Sequence, residues 1–370
     1  MNYIKLIKLL YSYNIIEKLL PSYMVVKTHS LARKYFLANF FKTIPKTQFI
    51  PDKIYHKKLW HLTFQFPLMN SAGMFKNAEG YDLISAIGAG GYLGGTSTYN
   101  KRVGNYKHHI LHPTIILKNS KIAINFLGLP NLGDEILSKQ IITKHKMKNC
   151  PIGWSISRET QINEQQSLDN LIKSLWLYHN KEQIDFIEIN ESCPNILIST
   201  HDKNNALAHR LEYISTHFLK KRERPLPITV KFSNDLSINN LKNILKLLLY
   251  YQFDGIVLGN TSTNYKAICP NVHTTEQKLF NYFTNKFGGG VSGQILKQQS
   301  LSLSTNAVSL IKQLNPNHEF HVIRSGGIDS INDIMQSNNA GISLNQWYSG
   351  FFDNYIKYED NVYKHFQSVK

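Results

Sequence analysis

The segment "DFIEINESCPN" (residues 185–195) decides how the chain is read. Phe186, Ile187 and Ile189 alternate with acids as a β-strand does, and Pro194 stops the pattern abruptly. Cys193 therefore hangs at a strand's carboxyl end. Working outward, seven more runs of this kind follow one another: "FPLMNSAG" (66–73), "GYLGGTST" (91–98), "PIGWSIS" (151–157), "PITVKFS" (227–233), "DGIVLGN" (254–260), "HVIRSGG" (321–327) and "GISLNQW" (341–347). Helix-like segments such as "SLDNLIKSLWLYHN" and "LKNILKLLLYYQ" lie between most of them, which is the rhythm of a parallel sheet with helical crossovers. Eight strand–helix units predict an α/β fold of the (β/α)8 TIM-barrel class, with its active site at the carboxyl ends of the strands. Two intervals, 99–150 and 264–297, are too long for simple connections and are expected to form loops over that face.

Ahead of the barrel, residues 3–20 and 27–41 carry helical patterns, punctuated by Pro21, Pro45 and Pro51. They predict an amino-terminal helical extension, residues 1–45, preceding a barrel domain of residues 46–370. Two readings stay open: a hairpin packed on the barrel, which the residues alone favour slightly, or a basic amphipathic surface for a membrane interface. The opening resembles a signal peptide in its basic start, but it has no small-residue cleavage site and lysines interrupt it, so it is read as retained. No stretch of the sequence is a run of eighteen apolar residues.

The chain of 370 residues has 42 Lys+Arg against 25 Asp+Glu, a formal charge of +17 that favours anionic partners. The basic residues are scattered and no nucleic-acid-binding motif is present, so no nucleic-acid partner is expected. Three widely spaced cysteines, Cys150, Cys193 and Cys269, suit neither a disulfide framework nor a metal site and point to a reducing compartment.

Nearly every expected strand ends in polar residues and glycines. The first gives Asn70, Ser71, Gly73 and Lys76, the second Thr96, the third Ser155, and the fourth Asn190, Cys193 and Asn195. The fifth gives Lys231, the sixth Asn260 and Thr261, the seventh Gly326 and Gly327, and the eighth Tyr348 and Ser349. Each ending alone is ordinary turn chemistry; their co-occurrence predicts a site. The last two match the usual phosphate position of a barrel, where backbone N–H groups are free at a helix amino end. Lys231, inside an apolar strand, needs a negative charge to stay protonated, which a cofactor that turns anionic would supply. No expected strand end offers a histidine to activate a nucleophilic thiol, which tilts Cys193 toward proton abstraction.

The motifs "NSAGMFKNAEG", "GGTSTYNKRVGN", "INFLGLPNLG", "EINESCPN", "ITVKFSNDLS", "GNTST", "GGGVSG", "SGGIDS" and "YSGFF" together resemble the dihydroorotate dehydrogenases, in order and over residues 55–352. That resemblance implies a barrel that holds FMN and oxidises dihydroorotate to orotate in pyrimidine synthesis. Carried onto this sequence, it assigns Ala72, Gly73, Lys76, Thr96, Ser155, Asn190, Lys231, Gly293, Gly327, Tyr348 and Ser349 to FMN. It assigns Lys76, Asn125, Leu129, Asn190, Asn195, Asn260 and Thr261 to the substrate, Cys193 to the catalytic base, and no metal.

The subclass features conflict. The extension, Lys76 and Gly95-Thr96 resemble the membrane-associated, quinone-reducing branch, whereas Cys193 and "GLPNLG" (128–133) resemble the soluble branch that uses fumarate or NAD. Architecture outweighs the base here, since cysteine and serine perform the same proton removal. The expectation is thus a quinone-reducing enzyme held peripherally on a membrane, facing a reducing compartment at a bacterial inner membrane or its equivalent. The alternatives are a soluble electron acceptor, a flavin-binding relative without turnover, and a flavin-dependent uridine reductase acting on RNA.

Overall fold

The computed structural model describes residues 20–43, 45, 48–141, 146–191 and 200–368. Eight parallel strands form where the alternating runs predicted them: β1 (Leu68–Asn70), β2 (Tyr92–Ser97), β3 (Ile152–Ile156), β4 (Phe186–Asn190), β5 (Ile228–Phe232), β6 (Gly255–Leu258), β7 (His321–Ser325) and β8 (Leu344–Trp347). Neighbours in sequence are neighbours in space from β2 to β8, and β8 then pairs in parallel with β1. A helix follows each strand, and its apolar spacing explains its docking. In Ile238–Tyr250, Leu241, Ile244, Leu245 and Leu248 are buried at helical intervals, and the Ser237 hydroxyl caps the amino end by accepting from the Asn240 N–H.

The seam between β1 and β2 has no regular ladder, and a side chain closes it. The Asn70 amide donates to the Leu93 carbonyl at 2.7 Å and accepts from the Leu93 N–H at 3.1 Å, imitating a backbone partner. Below it the Gly90 N–H donates to Leu68, and above it the Gly73 N–H donates to Gly95. The result is a closed (β/α)8 barrel.

Alternation along the strands sets what fills the barrel. At the amino end, Met69, Leu93, Phe186, Val257, Ile323 and Leu344 form an apolar plug, covered by Leu59, Leu62 and Phe64 of a hairpin that precedes β1. Two residues further along β4 and β8, and at the matching level of β5, the interior is polar, with Glu188, Gln346 and Lys231 all buried. The change from apolar to polar along one axis fixes which end can do chemistry.

The two long intervals are not independent loops. Thr114–Leu117 and Ile122–Asn125 of the first pair antiparallel, and Gly290–Gly293 of the second adds a third strand, with Gly290 opposite Asn125. Ile115, Leu117, Ile122, Ile124 and Val291 of this sheet share a separate core with Phe280 and Phe283. The helix Ser22–Phe40 packs there too, through Val25 and Val26, while its other end inserts Phe40 among Phe75, Phe351 and Tyr355. The expected helix over 3–20 lies, but for its last residue, outside the described residues. No helix among the described residues is long and apolar enough to cross a membrane.

Asn70→Ala leaves both backbone groups of buried Leu93 without their partner, so urea unfolding should report a loss of about 2–4 kcal/mol. Asn70→Asp, which sets a buried carboxylate oxygen against the Leu93 carbonyl, should cost at least as much.

Candidate functional site

A cavity opens at the carboxyl end of the barrel, floored by the strand ends and roofed by the added sheet. Of the residues the sequence assigned to FMN, Ala72, Gly73, Lys76, Thr96, Asn190 and Lys231 line it from the floor. Gly293, Gly327, Tyr348 and Ser349 line it from the other side. Ser155 does not reach the cavity; it stands behind Thr96, hydroxyl to hydroxyl at 2.9 Å. Of the substrate set, Asn125, Leu129, Asn260 and Thr261 join Lys76 and Asn190 in the lining. Cys193 and Asn195 lie outside the described residues.

The floor is a chain of hydrogen bonds. Asn260 donates to the Asn190 carbonyl oxygen at 3.4 Å, and the Asn190 amide donates to Thr96 at 3.3 Å. Thr96 meets Ser155 at 2.9 Å, and the Ser155 hydroxyl donates to Glu188 at 3.1 Å. From the opposite direction Lys231 donates to the Gln346 carbonyl at 2.9 Å, and the Gln346 amide donates to Glu188 at 2.7 Å. Lys231 Nζ is itself 3.6 Å from the carboxylate. Lys231 points into the barrel, as the sequence suggested, but the charge that holds it is within the chain. The need for a negative charge, which the sequence reading referred to an anionic cofactor, is met within the chain by Glu188. Burial lowers the lysine's pKa, and Glu188 opposes that shift.

On the other side of the cavity, Gly326 and Gly327 turn with φ of +110° and +73°. A side chain at Gly327 would stand 2.4 Å from the Lys297 backbone, so only glycine fits. The ten-residue helix Ser349–Tyr358 begins beside this turn and directs its amino end at the same space. Free N–H groups and a helix amino terminus together make an anion seat. With Lys231 and Asn190 across the cavity to donate to a polar ring edge, the donor set fits a phosphorylated planar cofactor.

Sequence reasoning missed several participants. Glu188 was visible only as one of the acids in "DFIEIN", two residues before Asn190 and hence on the same strand face. Arg33, read as part of an amphipathic pattern, donates to the Tyr348 hydroxyl at 3.4 Å and so ties the helix Ser22–Phe40 to the cavity rim. Glu191, two residues before the expected base, does not line the cavity; its carboxylate accepts from Arg210 at 3.1 and 3.2 Å. Burial, then the repulsion of Arg33, lowers Lys76 to about 7, with Glu79 opposing the shift.

The family profile of dihydroorotate dehydrogenase matches residues 54–369. The chain belongs to the dihydroorotate dehydrogenase family. A dihydroorotate dehydrogenase (quinone) of Buchnera aphidicola is 30% identical over 344 residues, covering 91% of this chain and 95% of the relative. One of Shewanella baltica is 29% identical over 294 residues, covering 78% and 80%. The crystal structure of the Eimeria tenella dihydroorotate dehydrogenase in complex with ferulenol superposes with a TM-score of 0.73 at 19% identity, covering 90% of this chain and 88% of that one, a likeness of fold.

Lys76 generates a pH prediction. Its charged form attracts a carboxylate; below pH 7 it is largely protonated, and above about 7 an anionic ligand must bring a proton with it. The affinity for orotate should therefore fall as pH rises from 7 to 9, approaching tenfold per unit, with proton uptake visible as buffer-dependent binding heat. Lys76→Met should bind more weakly and with a flat profile.

Proposed function

We propose that this chain oxidises dihydroorotate to orotate for pyrimidine nucleotide synthesis, passing the electrons through FMN to a quinone. The observation that carries this reading is the meeting of Lys76, Asn125, Asn190, Lys231, Asn260 and Thr261 in one cavity opposite a glycine turn and a helix amino end. Relatives of nearly the same length are named for the quinone-dependent reaction.

In this reading Ala72, Gly73, Thr96, Gly293, Gly327, Tyr348 and Ser349 hold FMN, with Lys231 at its polar ring edge and Ser155 supporting Thr96 from behind. The flavin, when bound, supplies the hydride acceptor. Asn125, Asn190, Asn195 and Asn260, with Thr261, hold the pyrimidine, because an amide side chain both donates and accepts, as the ring's alternating amide edge requires. Leu129 packs on its apolar part, and Lys76 pairs with its carboxylate. Cys193, which follows β4 in the sequence, takes the proton from C5. Loss of that base removes general-base catalysis, worth roughly 10²–10⁴-fold.

Residues 1–45 serve in this reading as the membrane and quinone-access segment, and 46–370 as the barrel domain. On the helix Ser22–Phe40, Met24, Leu31 and Tyr35 are exposed on one stripe, and Leu20 is exposed just ahead of it. Lys27 and Lys34 flank the stripe, and no acid occurs in residues 20–43. An apolar stripe with basic flanks suits the interface of an anionic bilayer, with the enzyme peripheral and facing a reducing compartment such as that at a bacterial inner membrane.

Anaerobic mixing of the yellow protein with dihydroorotate, followed by quinone, fumarate or NAD, tests the reaction. Bleaching reversed fastest by quinone is expected; no bleaching would sink the reading, and reversal by fumarate or NAD alone would assign a soluble acceptor. Cys193→Ala should slow bleaching at least 100-fold with FMN retained, while Cys193→Ser keeps weak activity with its optimum at higher pH. Flotation with phosphatidylglycerol vesicles should recover the full chain, and Leu31→Glu/Tyr35→Glu should stay unbound.

A further inference from the structure

Glu188 has no part in the reaction as described, yet it is the most deeply placed charge of the site. Its side chain is fully buried, two residues below Asn190 on the same face of β4. Each of its oxygens is engaged, one by Ser155 and Lys231 and the other by Gln346. A neutral glutamine there could accept from the Gln346 amide through its oxygen and donate to the Ser155 hydroxyl through its nitrogen, because a hydroxyl can turn to accept. The carboxylate's charge is therefore not required by its neutral neighbours, and burying it is costly unless it is paired. What the charge does is oppose Lys231, which lines the cavity at the position proposed for the flavin's polar edge.

We propose that Glu188 sets the electron affinity of the flavin by offsetting the charge of Lys231, so that bound FMN is a weaker oxidant than beside a lone lysine. The inference rests on the FMN reading above. Reduction places negative charge on the flavin ring. A nearby ammonium binds the reduced form more tightly than the oxidised one, and a carboxylate just beyond it takes back part of that preference. Weakening the flavin as an oxidant slows its reduction by substrate but speeds delivery of electrons to the acceptor, which places Glu188 as a tuning residue between the two half-reactions. It touches no reacting atom.

The test is the ratio of dissociation constants for oxidised and reduced FMN, measured anaerobically with the full chain and reconstituted apoprotein. Glu188→Gln should favour reduced FMN by tenfold or more, a rise of about 30 mV in a two-electron potential. A merely structural role would weaken both forms alike and leave the ratio unchanged, which would overturn the proposal. Glu188→Gln/Lys231→Gln, which removes the pair together and leaves no buried lone charge, should return the ratio to the wild-type value or below it. An equal rise in the double variant would also overturn the proposal. If Glu188→Gln does not fold, Lys231→Gln is compared with the double variant: the same Glu188 change should again favour reduced FMN, and no difference counts against it. Wild-type protein that binds no FMN would defeat the cofactor reading itself, an outcome separate from FMN bound at an unaltered ratio.

Discussion

A carboxylate and an ammonium 3.6 Å apart inside a closed barrel constrain everything above them. Because the Glu188 carboxylate can only accept, the groups that touch it must donate, and the direction propagates. Ser155 donates to Glu188, so it accepts from Thr96; Thr96 in turn accepts from Asn190, and Asn190 accepts from Asn260. One buried charge thus orients hydroxyls and amides on β2, β3, β4 and β6. The side chains that face the cavity are ordered before any ligand arrives, the condition under which a polar site is worth most. On the other arm, Gln346 is locked between donor and acceptor, so neither end of its amide can turn.

The roof shows how distant segments become one site. Gly290–Gly293 pairs with Ile122–Asn125 although the two are far apart in sequence, and Gly289 and Gly290 approach so closely that a side chain would strike Asn125 and Thr261. Asn125 is therefore placed by backbone contact as well as by its own loop. The helix Ser22–Phe40 rests on the same sheet through Val25 and Val26 and reaches Tyr348 through Arg33. Its position explains the perturbed Lys76, whose ammonium feels both burial and the neighbouring guanidinium. An amino-terminal element that was separable in the sequence is, in its second half, tied to the cavity rim through Arg33.

The barrel was legible because its signals are local. Short apolar runs bounded by turn residues give strands whatever their tertiary partners, and all eight appear. Polar strand ends were legible for the same reason, since the fold alone brings them together. What stayed hidden depends on contacts between remote residues. The seam amide of Asn70, the pairing of the two long intervals and the reach of Arg33 have no spacing to betray them. Glu188 was concealed differently: an acid in an alternating strand reads as a solvated face, and only closure of the barrel turns that face inward. The segment from 192 to 199, which holds Cys193 and Asn195, belongs to the reading from sequence.

The mixture of branch features is physically coherent once the barrel's geometry is considered. In a closed ring of eight strands, β4 and β8 stand opposite each other. Cys193 follows β4 in the sequence, while Tyr348, Ser349 and the contact with Arg33 lie at the end of β8. In the proposed reading the base belongs to the segment that follows β4 in the sequence, and access for the electron acceptor to the end of β8. In the proposed reading the choice of thiol or hydroxyl as base places no demand on the acceptor side, because both groups perform the same proton removal. The two sides meet in the floor, where Gln346 of β8 donates to Glu188 of β4 and accepts from Lys231, so the buried charge pair is tied to both. In that reading a cysteine base and a helical element on the acceptor side belong together in one chain without conflict.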